Sequence, residues 1–214
     1  MLLYIRKTNY LSIEKQQHIV LMYSNLLKIV SHFAELDEDE VALIKSSFKP
    51  HFLSKGDYFL KTGDINKHVG FLHKGLVRYF VYKDEEESTF EFTKEGEFIG
   101  DYQSFRNASA SVQNIQAIED CELLIINYPD IQNIFNTTKN GNIIGRQIIS
   151  HRFEVMVNQL LAVYMQNHEE RYKSFVAHYS DLIQRIPQYL IASYVGVQPE
   201  SLSRIRRRFT KNIS

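Results

Sequence analysis

Tryptophan is missing from this 214-residue chain, and cysteine occurs once. A lone Cys121 forms no internal disulfide, supplies no cysteine-rich zinc site and holds no four-cysteine iron–sulfur cluster. A reducing compartment is the easier expectation. Long apolar runs are also absent: none approaches the roughly 18 residues of a membrane helix. In MLLYIRKTNYLS, Arg6 and Lys7 interrupt the short apolar start before a signal-peptide core can form. The expectation is a soluble cytoplasmic protein with no membrane partner. No G-x-S-x-G, Walker loop or H-E-x-x-H occurs, and the eight histidines are scattered without metal-ligand spacing. No enzyme, no metal and no cofactor are therefore expected. Prolines number only four and 44% of residues are hydrophobic, so disorder is not the main state. The length suits one large domain or two small ones.

Net charge is zero, yet the two ends of the chain differ. Residues 1–145 hold 15 basic and 20 acidic side chains, whereas residues 146–214 hold 10 basic and 5 acidic ones. Near the C-terminus Arg204, Arg206, Arg207, Arg208 and Lys211 face Glu200 alone. Such a run is either a solvated helix face or an electrostatic footprint for a polyanion.

The period of the apolar residues divides the chain further. EKQQHIVLMYSNLLKIVSHF and DEDEVALIKSSF are helical, with Asp37 as N-cap and Glu40 as its capping-box partner. From residue 50 to Gly100, short β-rich runs are separated by KGD, TGD, HKG, KDEEES and KEGE, the pattern of a small antiparallel sandwich or barrel. LVRYFVY and STFEF read as strands, SVQNIQAI and CELLIINY as a last strand pair. After Tyr128-Pro129-Asp130 the pattern is helical. Ile149, Phe153, Met156, Leu160 and Val163 then form an a/d stripe, which serves either to pack on the parent core or to bury against a second copy. HEERYKSFVAHYSDLIQRI reads as one further helix.

IPQYLIASYVGVQPESLSRIRRRF combines a helix started by Pro187, a turn at Gly196, a plug at Val197 and a second helix opened by Pro199. Leu202, Ile205 and Phe209 share its inward face, leaving Ser201, Ser203, Arg204, Arg207 and Arg208 outside. This is a helix-turn-helix pattern.

With TGD at 62–64, HKGLV at 73–77, the acidic hairpin DEEES, EGEFIGD at 95–101 and the ungapped IASYVGVQPESLSRI, the chain resembles the Crp/Fnr (catabolite activator-like) transcription regulators over residues 25–209. The resemblance implies an α+β fold: an antiparallel β-roll like that of cyclic-nucleotide-binding proteins, a long dimerisation helix and a helix-turn-helix. The implied divisions are an extension at 1–24, the β-roll at 25–140, the dimerisation helix at 141–166 and the DNA-binding part at 167–214. It makes the stripe from Ile149 to Val163 a dimer seam. It also implies double-stranded DNA and a second copy as partners, with RNA polymerase and an unidentified small-molecule effector as further ones. Residues 1–21 precede the match and read as a nonessential extension or as lying before a different true start near Met22. Only Thr210–Ser214 follow the second helix, so the wing usual in the family is expected to be reduced or absent.

Carried over by position, the base-reading residues fall on Pro199, Glu200 and Arg204. Glu200 would accept from cytosine N4 and Arg204 would donate to guanine O6 and N7; alternatively Glu200 only complements the helix dipole. Pro199 replaces an arginine, so the target should differ from that of the cyclic-AMP-responsive members, and Gln198 is a weak cap. Ser201, Ser203, Arg207 and Arg208 are phosphate-contact candidates. In the pocket, Asp101 holds the position of the ribose-binding glutamate, but the phosphate-binding arginine and serine fall on Ser111 and Val112. Arg106 lies five residues early, on an expected loop, and Met156 and Val157 hold the positions that give hydroxyls to adenine. An uncompensated phosphate charge is costly to bury, so cyclic AMP is not expected. Asp101, Tyr102, Ser109 and Ser111 remain as pocket candidates for another small molecule, or the β-roll is only a dimerisation scaffold. A runner-up role is a ligand-sensing or interaction protein whose helix-turn-helix no longer binds DNA.

Overall fold

A computed structural model of the chain describes residues 2–211, with side chains from residue 16 to residue 209. It has the expected α+β architecture. The N-terminal helix α1 (Leu2–Val30) runs unbroken through the boundary expected at residue 24, and turns 31–34 lead to α2 (Glu38–Ser47). Asp37 caps α2 as anticipated: its carboxylate accepts from the Glu40 N–H at 2.8 Å, while Glu40 accepts from the Asp37 N–H at 3.2 Å.

Eight strands follow, interrupted once: β1 (Lys49–Leu53), β2 (Tyr58–Leu60), β3 (His68–Lys74), β4 (Val77–Lys83), β5 (Glu86–Thr93), β6 (Phe98–Ile99), helix α3 (Tyr102–Asn107), β7 (Asn114–Ala117) and β8 (Cys121–Asn127). They form two four-stranded antiparallel sheets, ordered β1-β8-β3-β6 and β2-β7-β4-β5. The expected last strand pair is thereby corrected. β7 joins the second sheet and β8 the first, because the chain changes sheets at Glu119–Asp120. The acidic hairpin between β4 and β5 turns at Asp84 and Glu85, both left-handed with φ of 51° and 67°, as a two-residue hairpin turn of the twist-compatible type requires.

Alternation along the strands supplies two apolar faces. On β8, Cys121, Leu123 and Ile125 point between the sheets with Leu53, Leu72, Tyr79, Ile99 and Ile115. Leu124 and Ile126 point outward and are covered by Met22, Leu26 and Val30 of α1, Ile44 of α2 and residues of the two helices that follow β8. Gly75, at φ +105°, lets the β3–β4 turn lie on β8: a Cβ there would meet the Asp120 carbonyl oxygen at 2.6 Å and Cys121 Sγ at 2.7 Å.

Helices α4 (Tyr128–Thr137), α5 (Gly141–Met165), α6 (His168–His178), α7 (Gln188–Val195) and α8 (Pro199–Lys211) complete the chain. The helix expected over 168–186 ends early, at His178. Tyr179 leaves helical geometry and turns its hydroxyl toward the sheet, where it accepts from the Phe92 N–H at 3.4 Å, and the chain turns until Ile186. Tertiary contacts there override a helical periodicity. The three C-terminal helices share a core with the β-roll. Leu76, Phe92 and Ile118 pack with Tyr172, Phe175, Leu182, Leu190, Ile191, Val195, Leu202 and Ile205. Ser193 of α7 adds two bonds to the edge of β5, accepting from the Thr89 N–H at 2.9 Å and donating to the Glu87 carbonyl at 2.7 Å. Among the described residues, no helix is long and apolar enough to cross a membrane.

Candidate functional site

The helix-turn-helix is built as its sequence suggested. Pro187 precedes α7, whose Leu190, Ile191, Ala192 and Val195 are buried. Gly196 closes the helix at φ +82°, where its N–H reaches the Ala192 and Ser193 carbonyls at 2.9 and 3.2 Å. The α7 C-terminus gains two side-chain partners from α6 that the sequence did not reveal. Arg171 donates to the Tyr194 carbonyl at 2.5 Å, and a His168 ring nitrogen lies 3.1 Å from the Val195 carbonyl. Val197 is half-buried against the same core.

On α8 the division of faces is sharp. Leu202 and Ile205 are buried, and Phe209 packs edge-on against Tyr172 with ring centroids 5.6 Å apart. Glu200, Ser203, Arg204 and Arg207 are exposed at spacings of three and four, so they line one solvent face. Ser201 is half-buried, and its hydroxyl lies 3.4 Å from an Arg204 guanidinium nitrogen. Arg208 is exposed but already pairs with Glu169 of α6, and Arg206 bonds Gln188 of α7. The stripe on α5 is equally plain. Ile149, Phe153, Met156, Leu160 and Val163 are 40–63% exposed in the single chain, so they do not pack on their own domain. Residues 212–214, part of the segment on which the missing wing was expected, lie outside the described residues.

Of the four β-roll pocket candidates, only Asp101 and Ser111 meet, and they meet each other. Asp101 caps α3, accepting from the Gln103 and Ser104 N–H groups at 3.0 and 3.1 Å, and its second oxygen accepts the Ser111 hydroxyl at 2.8 Å. Asp101 and Ser111 are both buried, whereas Tyr102 and Ser109 are exposed. Arg106 stands on α3 and not on a loop, and it points to solvent. Ser111, where the resemblance implied a phosphate-binding arginine, thus serves a carboxylate.

A different cavity, of about 300 Å³, opens where the β-roll meets α5 and α6; Ile29, Phe33, Glu91, Glu97, Arg152 and His178 line it. Arg152 donates to the buried Glu91 at 2.6 Å. Burial lowers the affinity of this guanidinium for its proton, but the Glu91 carboxylate outweighs that and keeps it charged. Burial drives the Glu97 carboxyl up to about 7, with Glu91 and Asp181 adding to the shift and Arg152 and Lys94 opposing it. Nothing in the sequence marked this group, since Arg152 lies more than 50 residues from Glu91 and Glu97. Cys121 is core, as expected, its thiol pushed by burial to about 11. The histidines, scattered in sequence, are not all scattered in space: the His18 and His73 rings lie 5.7 Å apart, beside Glu122.

Comparison with known proteins places this geometry. The cyclic nucleotide-binding domain family matches residues 50–138. The global regulator CLP of Xanthomonas campestris, described as c-di-GMP responsive, superposes with a TM-score of 0.65 at 17% identity, covering 82% of this chain and 93% of that one. The chain has the fold of the Crp/Fnr regulators. FixK2 from Bradyrhizobium japonicum superposes equally well, with a TM-score of 0.65 at 12% identity over 77% of this chain and 85% of that one. A transcriptional regulator assigned to the Crp/Fnr family from Eubacterium rectale gives 0.60 at 17% identity, over 83% and 85%. No curated protein matches the sequence. Within this Crp/Fnr fold, the β-roll, α5 and the helix-turn-helix occur in the expected order.

Glu97 yields a signed prediction. Its folded-state value of about 7 exceeds the ordinary value of about 4.3, so the folded protein holds this proton more tightly than the unfolded chain. Stability therefore falls as pH rises from about 4.5 to about 7 and levels off above. Glu97→Gln, which carries no charge to bury, should stabilise the protein by about 1–2 kcal/mol at pH 8 and by much less at pH 5. Thermal unfolding at both pH values measures this, and an equal gain at both would refute it.

Proposed function

We propose that this chain is a homodimeric, sequence-specific DNA-binding transcription regulator. The observation that carries the reading is the exposed face of α8, where Glu200, Ser203, Arg204 and Arg207 stand clear of the buried Leu202 and Ile205. A helix of this kind, with a basic outer face and a firmly packed inner one, suits the major groove. Glu200 accepts from cytosine N4, and Arg204, steadied by Ser201, donates to guanine O6 and N7. Arg207 and Ser203 hold phosphates, while Arg208 can join them only by leaving Glu169. Two copies related by a twofold axis present two such helices to half-sites roughly 34 Å apart.

The second copy seats on α5. An apolar stripe running from Ile149 to Val163, with each of its residues at least 40% exposed, is costly to leave in water, and its a/d spacing fits the same stripe of a partner. The β-roll then acts as the regulatory half. Its effector is not cyclic AMP, because Ser111 and Asp101 bond each other where a cyclic phosphate needs a cation.

Three outcomes test this. Selection from random duplex DNA at low salt should enrich a pseudo-palindrome; on it, Arg204→Ala should relax preference at one base pair at a cost of about 1–3 kcal/mol, and Arg207→Ala should weaken all sequences alike. If no palindrome is enriched, the helix-turn-helix does not read DNA and the protein is a sensor or interaction module. Phe153→Glu should convert a dimer to a monomer in sedimentation, and a monomeric parent would remove the seam. Calorimetry should detect no micromolar cyclic AMP binding; such binding would show that a cation reaches the phosphate by another route.

A further inference from the structure

We propose that His18, His73 and Glu122 form a binding site for a divalent transition metal of the zinc class, which clamps α1 to the first sheet. One ligating atom from each of the three residues lies within 4.8 Å of the other two. On a single tetrahedral zinc ion, with bonds of about 2.0–2.2 Å, such atoms stand about 3.3 Å apart, so side-chain torsions alone can close the site.

The backbone brings the three together from positions 55 and 49 residues apart, which is why no spacing motif exists. His73 sits where the β3–β8 register shifts between Leu72 and Lys74, an irregularity that re-aims a strand side chain, and Glu122 pairs with the adjacent Lys74. His18 comes from α1, whose Met22 and Leu26 bury against β3 and β8. His18 Nε2 already contacts the Glu122 carboxylate. Two nitrogens and one carboxylate oxygen are the donor set of an open zinc site, with the fourth position left to water or a further ligand. All three side chains are half-buried, hence reachable by an ion from solvent.

The surroundings suit a metal as well. Asn25, seven residues after His18 and on the same face of α1, places its amide 3.1 Å from His73 Nδ1. That contact occupies one ring nitrogen and leaves Nε2 for the ion; with the amide turned over, its oxygen accepts the Nδ1 proton, the partner that metal-bound imidazoles usually have. Lys74 is the opposing feature, 3.6 Å from the free Glu122 oxygen, but its side chain is 68% exposed and can withdraw.

Titration of the full-length protein with Zn²⁺ by calorimetry should show one saturable site per chain. His18→Ala, His73→Ala and Glu122→Gln should each weaken it at least about 10-fold. His32→Ala and His51→Ala, which alter other histidines, should leave it unchanged. Zn²⁺ should raise the melting temperature of the parent but not of His18→Ala, whose substitution on α1 leaves the sheet untouched, and Co²⁺ should give ligand-field bands that His18→Ala loses. Absence of a saturable site, or affinity retained in both histidine variants, would overturn the proposal and leave the three residues as an ion pair with a neighbouring ring.

Discussion

The arrangement of this molecule depends on Phe92. Its ring leaves the hairpin strand β5 and enters the core of the C-terminal helices, with centroids 6.0 Å from Phe175, 5.8 Å from Tyr179 and 5.9 Å from Tyr194. Aromatic groups of this size dominate the energy of a small core. The helix-turn-helix therefore completes its interior with a residue of the β-roll, and the position of α8 is set by that residue. A polar clamp follows the same line. Arg185, in the turn after α6, donates to Glu95 at 2.7 Å and to Glu119 at 2.6 Å, and these two carboxylates hold its proton above the ordinary arginine value. Lys94 and Asp181 add a third, more exposed pair at 2.5 Å.

These contacts also explain the charge asymmetry. Several acids of the β-roll engage cations of the C-terminal part: Glu91 with Arg152, Glu95 and Glu119 with Arg185. Zero net charge thus conceals internal pairing, while Arg204 and Arg207 of α8 stay exposed and outside these pairs. Arg208 is an exception, held by Glu169 within the C-terminal helices themselves.

Local signals carried far in the sequence. The Asp37–Glu40 capping box, the left-handed Gly196, the two faces of α8 and the strands β4 and β5 were legible because each depends on residues within a few positions of one another. The errors fall where distant residues decide. Periodicity cannot say that β7 and β8 join opposite sheets, nor that Tyr179 abandons a helix to reach Phe92. Spacing likewise gave no sign that Asp101 and Ser111, both pocket candidates, would satisfy each other. The Glu91–Arg152–Glu97 group joins two distant segments and the His18–His73–Glu122 group three, and no pairwise motif announces them.

Ser193 has a consequence for motion. β5 is an edge strand of its sheet, and an uncovered edge offers its peptide groups to any passing strand. By bonding both the Thr89 N–H and the Glu87 carbonyl, Ser193 seals that edge with a helix. Swinging the C-terminal helices freely away would uncover those peptide groups and the Phe92 ring together. Any separation of the C-terminal helices from the β4–β5 hairpin must therefore break both Ser193 bonds and wet an aromatic ring, which ties the hairpin to the helices.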